Sequence, residues 1–251
     1  MTLLQILLVG ITVFATHAIE AVTGFGCTVL ALPFVTGILG MKAGVPLLAV
    51  LAWVLALYIA VSKWRSIDFR QFAIIVFFVG LGMPAGMYAF RTLDSGLLKK
   101  LLAVFIIFSS SWRLYRGFRQ GNDPACPAAP AKPLPRWLSF PLLVVGGMVH
   151  GAFASGGPLV VLYAAAALPD KGRFRATLCL LWASLNTVLI IGYFRSGMLT
   201  LEFGKGLTAM APFLVAGIVA GERLHDRMNP LIFDRVVFGT LLATGIIMLA
   251  V

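Results

Sequence analysis

Two short segments of this chain gather the side chains and helix-breaking residues that can hold a charged solute. The first reads His17-Ala-Ile-Glu20-Ala-Val-Thr23-Gly24-Phe25-Gly26-Cys-Thr28, with Pro33 following; the second reads His150-Gly151-Ala-Phe-Ala-Ser155-Gly156-Gly157-Pro158. Glycines close together unwind a helix at little cost, and Pro158 suits the first position of a new helix. A helix that restarts there presents free N–H groups and the positive end of its dipole, which suits an anion. The substrate-binding candidates are therefore Thr23, Gly24, Phe25 and Gly26 at the first turn, and His150, Ser155, Gly156 and Gly157 at the second. Asn186, with Ser184 beside it, interrupts a further apolar run and adds an amide. The competing use of the glycines is tight helix packing, and that of Asn186, Ser184 and the histidines is hydrogen bonding between helices. Glu20 is the one acid of the first apolar stretch. A carboxylate at membrane depth faces an interior or a cavity, which makes Glu20 a candidate carrier of a coupling proton. The alternative is that the apolar run ends there and Glu20 meets interfacial water. His17 is the second proton-coupling candidate, because imidazole titrates near neutral pH.

The elements that must position these residues follow from composition. Of 251 residues, 60% are apolar and 12% are charged, against about 25% charged in a soluble domain. The apolar residues fall in runs at 2–22, 25–40, 43–61, 71–90, 97–115, 138–154, 158–168, 174–194, 203–221 and 231–251. A bilayer crossing takes about 20 apolar helical residues, and hydrocarbon admits helices or closed barrels. Nothing in the runs alternates with period two, so the expected fold is all-α. It is a polytopic integral membrane protein of about 8–10 helices, two of its runs being hairpins broken at glycine turns.

The runs divide into two sets around a polar stretch with five prolines between Gly117 and Arg136. The expected organisation is a first repeat at 1–116, a Pro-rich linker at 117–137 and a second repeat at 138–251. Gly24-Phe25-Gly26 aligns with Ser155-Gly156-Gly157, and Lys42 with Arg173. Gly82, Ala85 and Gly86 align with Gly217, Ala220 and Gly221, Asp94 with Asn229, and Lys100 with Arg235. Such duplication is a common plan of transporters. As one straight helix, residues 1–40 would be about 60 Å long, twice the hydrocarbon thickness. They therefore fold back at the glycines, as 138–168 do at theirs, and an odd number of crossings per repeat inverts the second repeat. This arrangement puts fourteen Lys and Arg on one face and six on the other, which makes the linker side cytoplasmic.

Several classes fall away. The net charge of +11 reads as basic membrane loops rather than nucleic-acid binding. The clusters Lys171, Arg173, Arg175 and Glu222, Arg223, Asp226, Arg227 read as solvated loop ends. Cys27, Cys126 and Cys179 lie far apart with no metal spacing, and no phosphate-binding GxxxxGK[ST] occurs. The expectation is no metal, no cofactor and no catalytic residue. An intramembrane enzyme would need a pair such as Ser155 with His150, whose spacing faces poorly on a helix. A scaffold without transport activity has no need of paired helix breaks. The glycine-rich face Gly80-Leu-Gly82-Met-Pro-Ala-Gly86 can pack within one chain or between two in a homo-oligomer.

The E-x-x-x-G-F-G segment at Glu20–Gly26, the G-A-F-A-S-G-G-P-L segment at Gly151–Leu159 with the Lys171–Thr177 stretch after it, and the duplicated halves resemble the TauE/SafE sulfite-exporter family. The resemblance implies a multi-pass permease of the bacterial inner membrane that moves a small sulfur-containing anion such as sulfite or a sulfonate. The same helix ends would also suit a carboxylate or another small anion.

Overall fold

The computed structural model describes residues 1–119, 135–168 and 170–224, together with Leu242, Gly245, Ile246 and Leu249. Cys126, Asp226, Arg227, Asn229 and Arg235, most of the linker and most of the last apolar run lie outside the described residues. The described chain is helical, with no strand: α1 (Leu3–Thr23), α2 (Cys27–Leu39), α3 (Met41–Ser62), α4 (Phe69–Thr92), α5 (Ser95–Arg119), α6 (Arg136–Phe153), α7 (Gly157–Ala167), α8 (Lys171–Arg195) and α9 (Leu201–Leu224). Among them α1, α3, α4, α5, α8 and α9 are long and apolar enough to cross a membrane. The 13 residues of α2 and the 11 of α7 reach about 20 Å and 16 Å, short of a crossing.

Local chemistry sets the boundaries. Asp68 accepts the Gln71 N–H at 3.0 Å and Asp170 the Arg173 N–H at 2.8 Å, which caps α4 and α8. Thr2 and Gln5 close a capping box on α1. In contrast, the N-cap residues of α2 and α7, Gly26 and Gly156, give no side-chain cap.

Three contacts fix the ends of the bundle. At one end the Asp68 N–H donates to Thr177 Oγ1 at 2.9 Å. At the other, Arg91 donates to the Gly192 carbonyl at 3.0 Å and Lys42 to the Phe90 carbonyl. Helices α3 and α8 run antiparallel through the centre, joined where Trp53 Nε1 donates to Thr187 Oγ1 at 2.9 Å. Helix α6 lies alongside α4 and α1 alongside α9. The paired positions advance together in both cases: Val79 with Gly147 and Met83 with Gly151, then Gly10 with Phe213 and Ala18 with Gly221. Hence α6 starts from the Asp68 end, α1 starts from the Arg91 end, and each turns back on its short partner helix.

Backbone contact makes both seams. A Cβ at Gly82 or Gly86 would fall on the Val144 or Met148 carbonyl oxygen, and one at Gly147 or Gly151 on that of Val79 or Met83. Gly217 and Gly221 hold the same relation to Phe14 and Ala18 of α1. The sequence correspondence of Gly82 and Gly86 with Gly217 and Gly221 is thus a correspondence of packing, within one chain. We expect Gly86→Leu to force α4 from α6 and to cost about 1–3 kcal/mol or more, read as a lower midpoint in a detergent thermal melt. Gly80→Ala on the same helix, where an added Cβ meets nothing, should leave the midpoint unchanged. The lipid-facing surface is apolar: Leu3, Leu4, Leu7 and Ile11 on α1 and Phe77, Leu81 and Tyr88 on α4 are exposed.

Candidate functional site

The two helix breaks meet in the interior. At the first, Gly24 and Gly26 hold positive φ angles of 81° and 106°, a region that costs glycine little. At the second, the left-handed residue is Ala154 at φ 53°, whereas Gly156 is right-handed at φ −71°. This corrects the expectation that the second break turns on its glycines. Gly156 is demanded instead by a close approach, because a Cβ there would meet the Gly146 carbonyl oxygen and lie 2.9 Å from His150 Cβ.

A small cavity lies between the breaks. Glu20, Gly26 and Thr28 line it from the first break, His150, Ser155 and Gly157 from the second, Trp182 and Asn186 from α8, and Ala52 from α3. Of the residues expected from sequence, Glu20, Gly26, His150, Ser155, Gly157 and Asn186 are brought together here. The others stand behind the wall. Thr23 donates its hydroxyl to the Ile19 and Phe25 carbonyls at 2.9 and 2.8 Å. Phe25 packs edge-on to Phe174. Ser184 is turned to the Leu180 carbonyl. His17, fully buried, donates Nδ1–H to the Val13 carbonyl at 2.8 Å, one turn before Glu20 on α1. The Gly24 carbonyl accepts from Trp182 Nε1 at 3.2 Å.

Trp182 was not singled out by sequence reasoning as a site residue. Its ring also stacks on His150, with centroids 5.5 Å apart and 22° between the planes, so one side chain touches both breaks. Its position four residues before Asn186, on the same helix face, was the available signal. Thr28 was in the first motif but not among the candidates.

Hydrogen bonding fixes what the cavity offers. His150 Nδ1 takes the Gly156 N–H in a long contact of 3.5 Å, which leaves Nε2 of the neutral ring as a donor. His150 Nε2, Ser155 Oγ and Asn186 Oδ1 have no partner within hydrogen-bonding distance, although the three residues are 1–2% exposed and the His150 and Asn186 side chains lie close enough to interact. Buried polar atoms ordinarily have partners, so these three await one. The first intrahelical bond of α7 is Val160 N–H to the Gly156 carbonyl, so the Gly157 and Leu159 amides open the helix unpaired. The start of α2 differs: Glu20 Oε2 accepts the Cys27 N–H at 2.9 Å. The expectation of two equivalent vacant helix ends is corrected accordingly, since the chain's own carboxylate occupies one. Glu20 is 3% exposed, which rules out the interfacial-water reading.

A third correction concerns the basic cluster after α7. Lys171 and Arg173 are exposed, but Arg175 is 6% exposed and forms an ion pair with Glu222 of α9. Its backbone packs against Gly24. The pair therefore ties α8 and α9 together directly behind the first break. No group of three or more His, Cys, Asp or Glu with metal-binding geometry occurs among the described residues.

Residues 8–248, nearly the whole chain, match the family described as sulfite exporter TauE/SafE. The chain belongs to the TauE/SafE sulfite exporter family. It is similar, at 24% identity over 186 residues, to the "Probable inner membrane transporter protein TsaS" of Comamonas testosteroni, with 73% of each chain covered. No solved structure matches. With its helices long and apolar enough to cross a membrane, this family membership makes the chain a multi-pass membrane transporter rather than an enzyme.

Proposed function

We propose that this protein is a secondary transporter for a small sulfur-containing anion, sulfite or an organosulfonate, and that the cavity between the two helix breaks is its substrate site. The observation that carries this reading is the convergence on one cavity of His150 Nε2, Ser155 Oγ and Asn186 Oδ1, all buried and without partners. His150 Nε2, Ser155 Oγ and the open amides of α7 form a set of neutral donors suited to an oxyanion, with the acceptor Asn186 Oδ1 beside them. Thr23, Gly24, Phe25 and Gly156 serve the site by shaping the turns. Its family membership favours sulfur anions over carboxylates, which the same donors would hold.

The halves on either side of the linker are read as inverted repeats. The opposed directions of α1 and α6, and the matching seams α1–α9 and α4–α6, support this. Binding at the repeat interface with rocking of one half against the other is a common transport mechanism for such folds. The end carrying Lys63, Arg65, Arg70, Lys171 and Arg173 faces the cytoplasm on this reading.

Flux in proteoliposomes tests the reading with sulfite, methanesulfonate and acetate as solutes. Sulfite or methanesulfonate should move well above acetate. Flux of acetate alone would replace the sulfur anion by a carboxylate, and no flux of any solute would end the anion-permease reading. His150→Phe keeps a ring against Trp182 but removes the Nε2 donor. A hydrogen bond to a charged partner contributes about 1.5–3 kcal/mol, so the variant's KM for the transported anion should rise about 10- to 150-fold. An unchanged KM would remove His150 from the site.

A further inference from the structure

We propose that Glu20 makes this a site for one anion together with one proton: a monoanion is held only while Glu20 is protonated, so the loaded site gains no net charge. The inference rests on the anion-permease reading above and adds its coupling and its charge balance. Glu20 lines the same cavity as the unpartnered donors. Its carboxylate takes the Cys27 amide at the start of α2, a seat that an anion would otherwise use. The cavity thus already contains an anionic group of the chain itself, and no Lys or Arg is among the residues that line it.

Among the described residues the surroundings offer no other compensation. On α1 itself His17 stands one turn earlier, with Nε2 buried and unpartnered. Packed against α1, α2 contributes Cys27 and α3 reaches the cavity with Ala52. From α8 come Cys179 and Arg175, from α9 Glu222, and from α6 His150. Among the described residues the one nearby cation, Arg175, is paired with Glu222, so its charge is already balanced. A second negative charge beside ionised Glu20 would meet neutral groups alone, in a setting where like charges repel far more strongly than in water. Protonation removes that repulsion and turns Glu20 from an acceptor into a donor. By linkage, proton and anion then raise each other's affinity by the same factor. Above the titration point of Glu20, apparent anion affinity should fall about tenfold per pH unit.

The test uses full-length protein in proteoliposomes with methanesulfonate, which stays a monoanion across the range used, and with sulfite in parallel. A trapped pH dye reports protons, and valinomycin with potassium gradients sets the membrane potential. The expected result is uptake driven by an inward proton gradient, one proton per methanesulfonate, and indifferent to potential. Glu20→Gln should lose proton uptake, and its residual methanesulfonate flux should follow potential. Wild-type flux that follows potential without proton movement would overturn the inference while leaving an anion permease. Glu20→Gln that still carries protons with the anion would overturn it as well. No movement of either anion under any gradient would overturn the permease reading and this inference together. The wild-type comparison decides the question alone if the variant does not reach the membrane.

Discussion

Gly156→Val is expected to reduce anion flux about 100-fold or more, the cost of misplacing binding groups by about 1 Å, while the protein still reaches the membrane. The reason is contact rather than backbone strain. Gly156 has φ −71°, a conformation open to every L-residue. What excludes a side chain is what a Cβ would meet: the Gly146 carbonyl oxygen and, at 2.9 Å, His150 Cβ. Neither can swing away, since one is backbone and the other the root of a buried side chain. Relief requires the break to move off α6. That displaces Ser155, the open amides of α7 and the His150 ring together. Insertion depends on the apolar spans, which the substitution leaves intact. Gly37→Ala serves as control, because an added Cβ meets nothing there. Flux per inserted molecule is the quantity to compare, and wild-type flux from Gly156→Val would take this break out of the transport route.

Trp182→Ala should be the second large effect, lowering both stability and flux. The side chain is 6% exposed, stacks on His150 and donates to the Gly24 carbonyl. Truncating a buried aromatic residue typically costs about 3–5 kcal/mol. The loss here also disconnects the two breaks, because the ring that holds His150 is the one anchored to Gly24. Trp182→Phe separates the two roles. It keeps a ring on His150 and gives up one hydrogen bond, about 0.5–1.5 kcal/mol, so it should retain measurable flux where Trp182→Ala does not. Equal behaviour of the two variants would place the whole effect in the Gly24 bond, and wild-type flux from Trp182→Ala would contradict a role for the bridge.

Much of this arrangement is legible in the residues. The run at 71–90 became α4 over Phe69–Thr92, because apolar length and an Asp cap are local signals. The breaks were legible because glycine and polar residues interrupt hydrocarbon-length runs at corresponding places. What escaped is tertiary in origin. At the second break the left-handed residue is Ala154, while Gly156 is demanded by the approach of Gly146, and no local pattern carries that approach. Arg175 belongs to a basic cluster in sequence, and its partner Glu222 lies 47 positions away, so the pairing is invisible to spacing. Glu20 was readable as a buried acid, but its use as the cap of α2 depends on how the first turn closes, seven residues later at Cys27. Trp182 looked like one more apolar residue of α8, since only the fold sets its ring between the two breaks.

The most direct test of the central claim is a crystal structure with selenite, an oxyanion shaped like sulfite whose selenium can be located by anomalous scattering. The account predicts an anomalous peak in the cavity within hydrogen-bonding distance of Ser155 Oγ and His150 Nε2, next to the first amides of α7. A peak elsewhere in the bundle, or an empty cavity at selenite concentrations that saturate inhibition of transport, would contradict it.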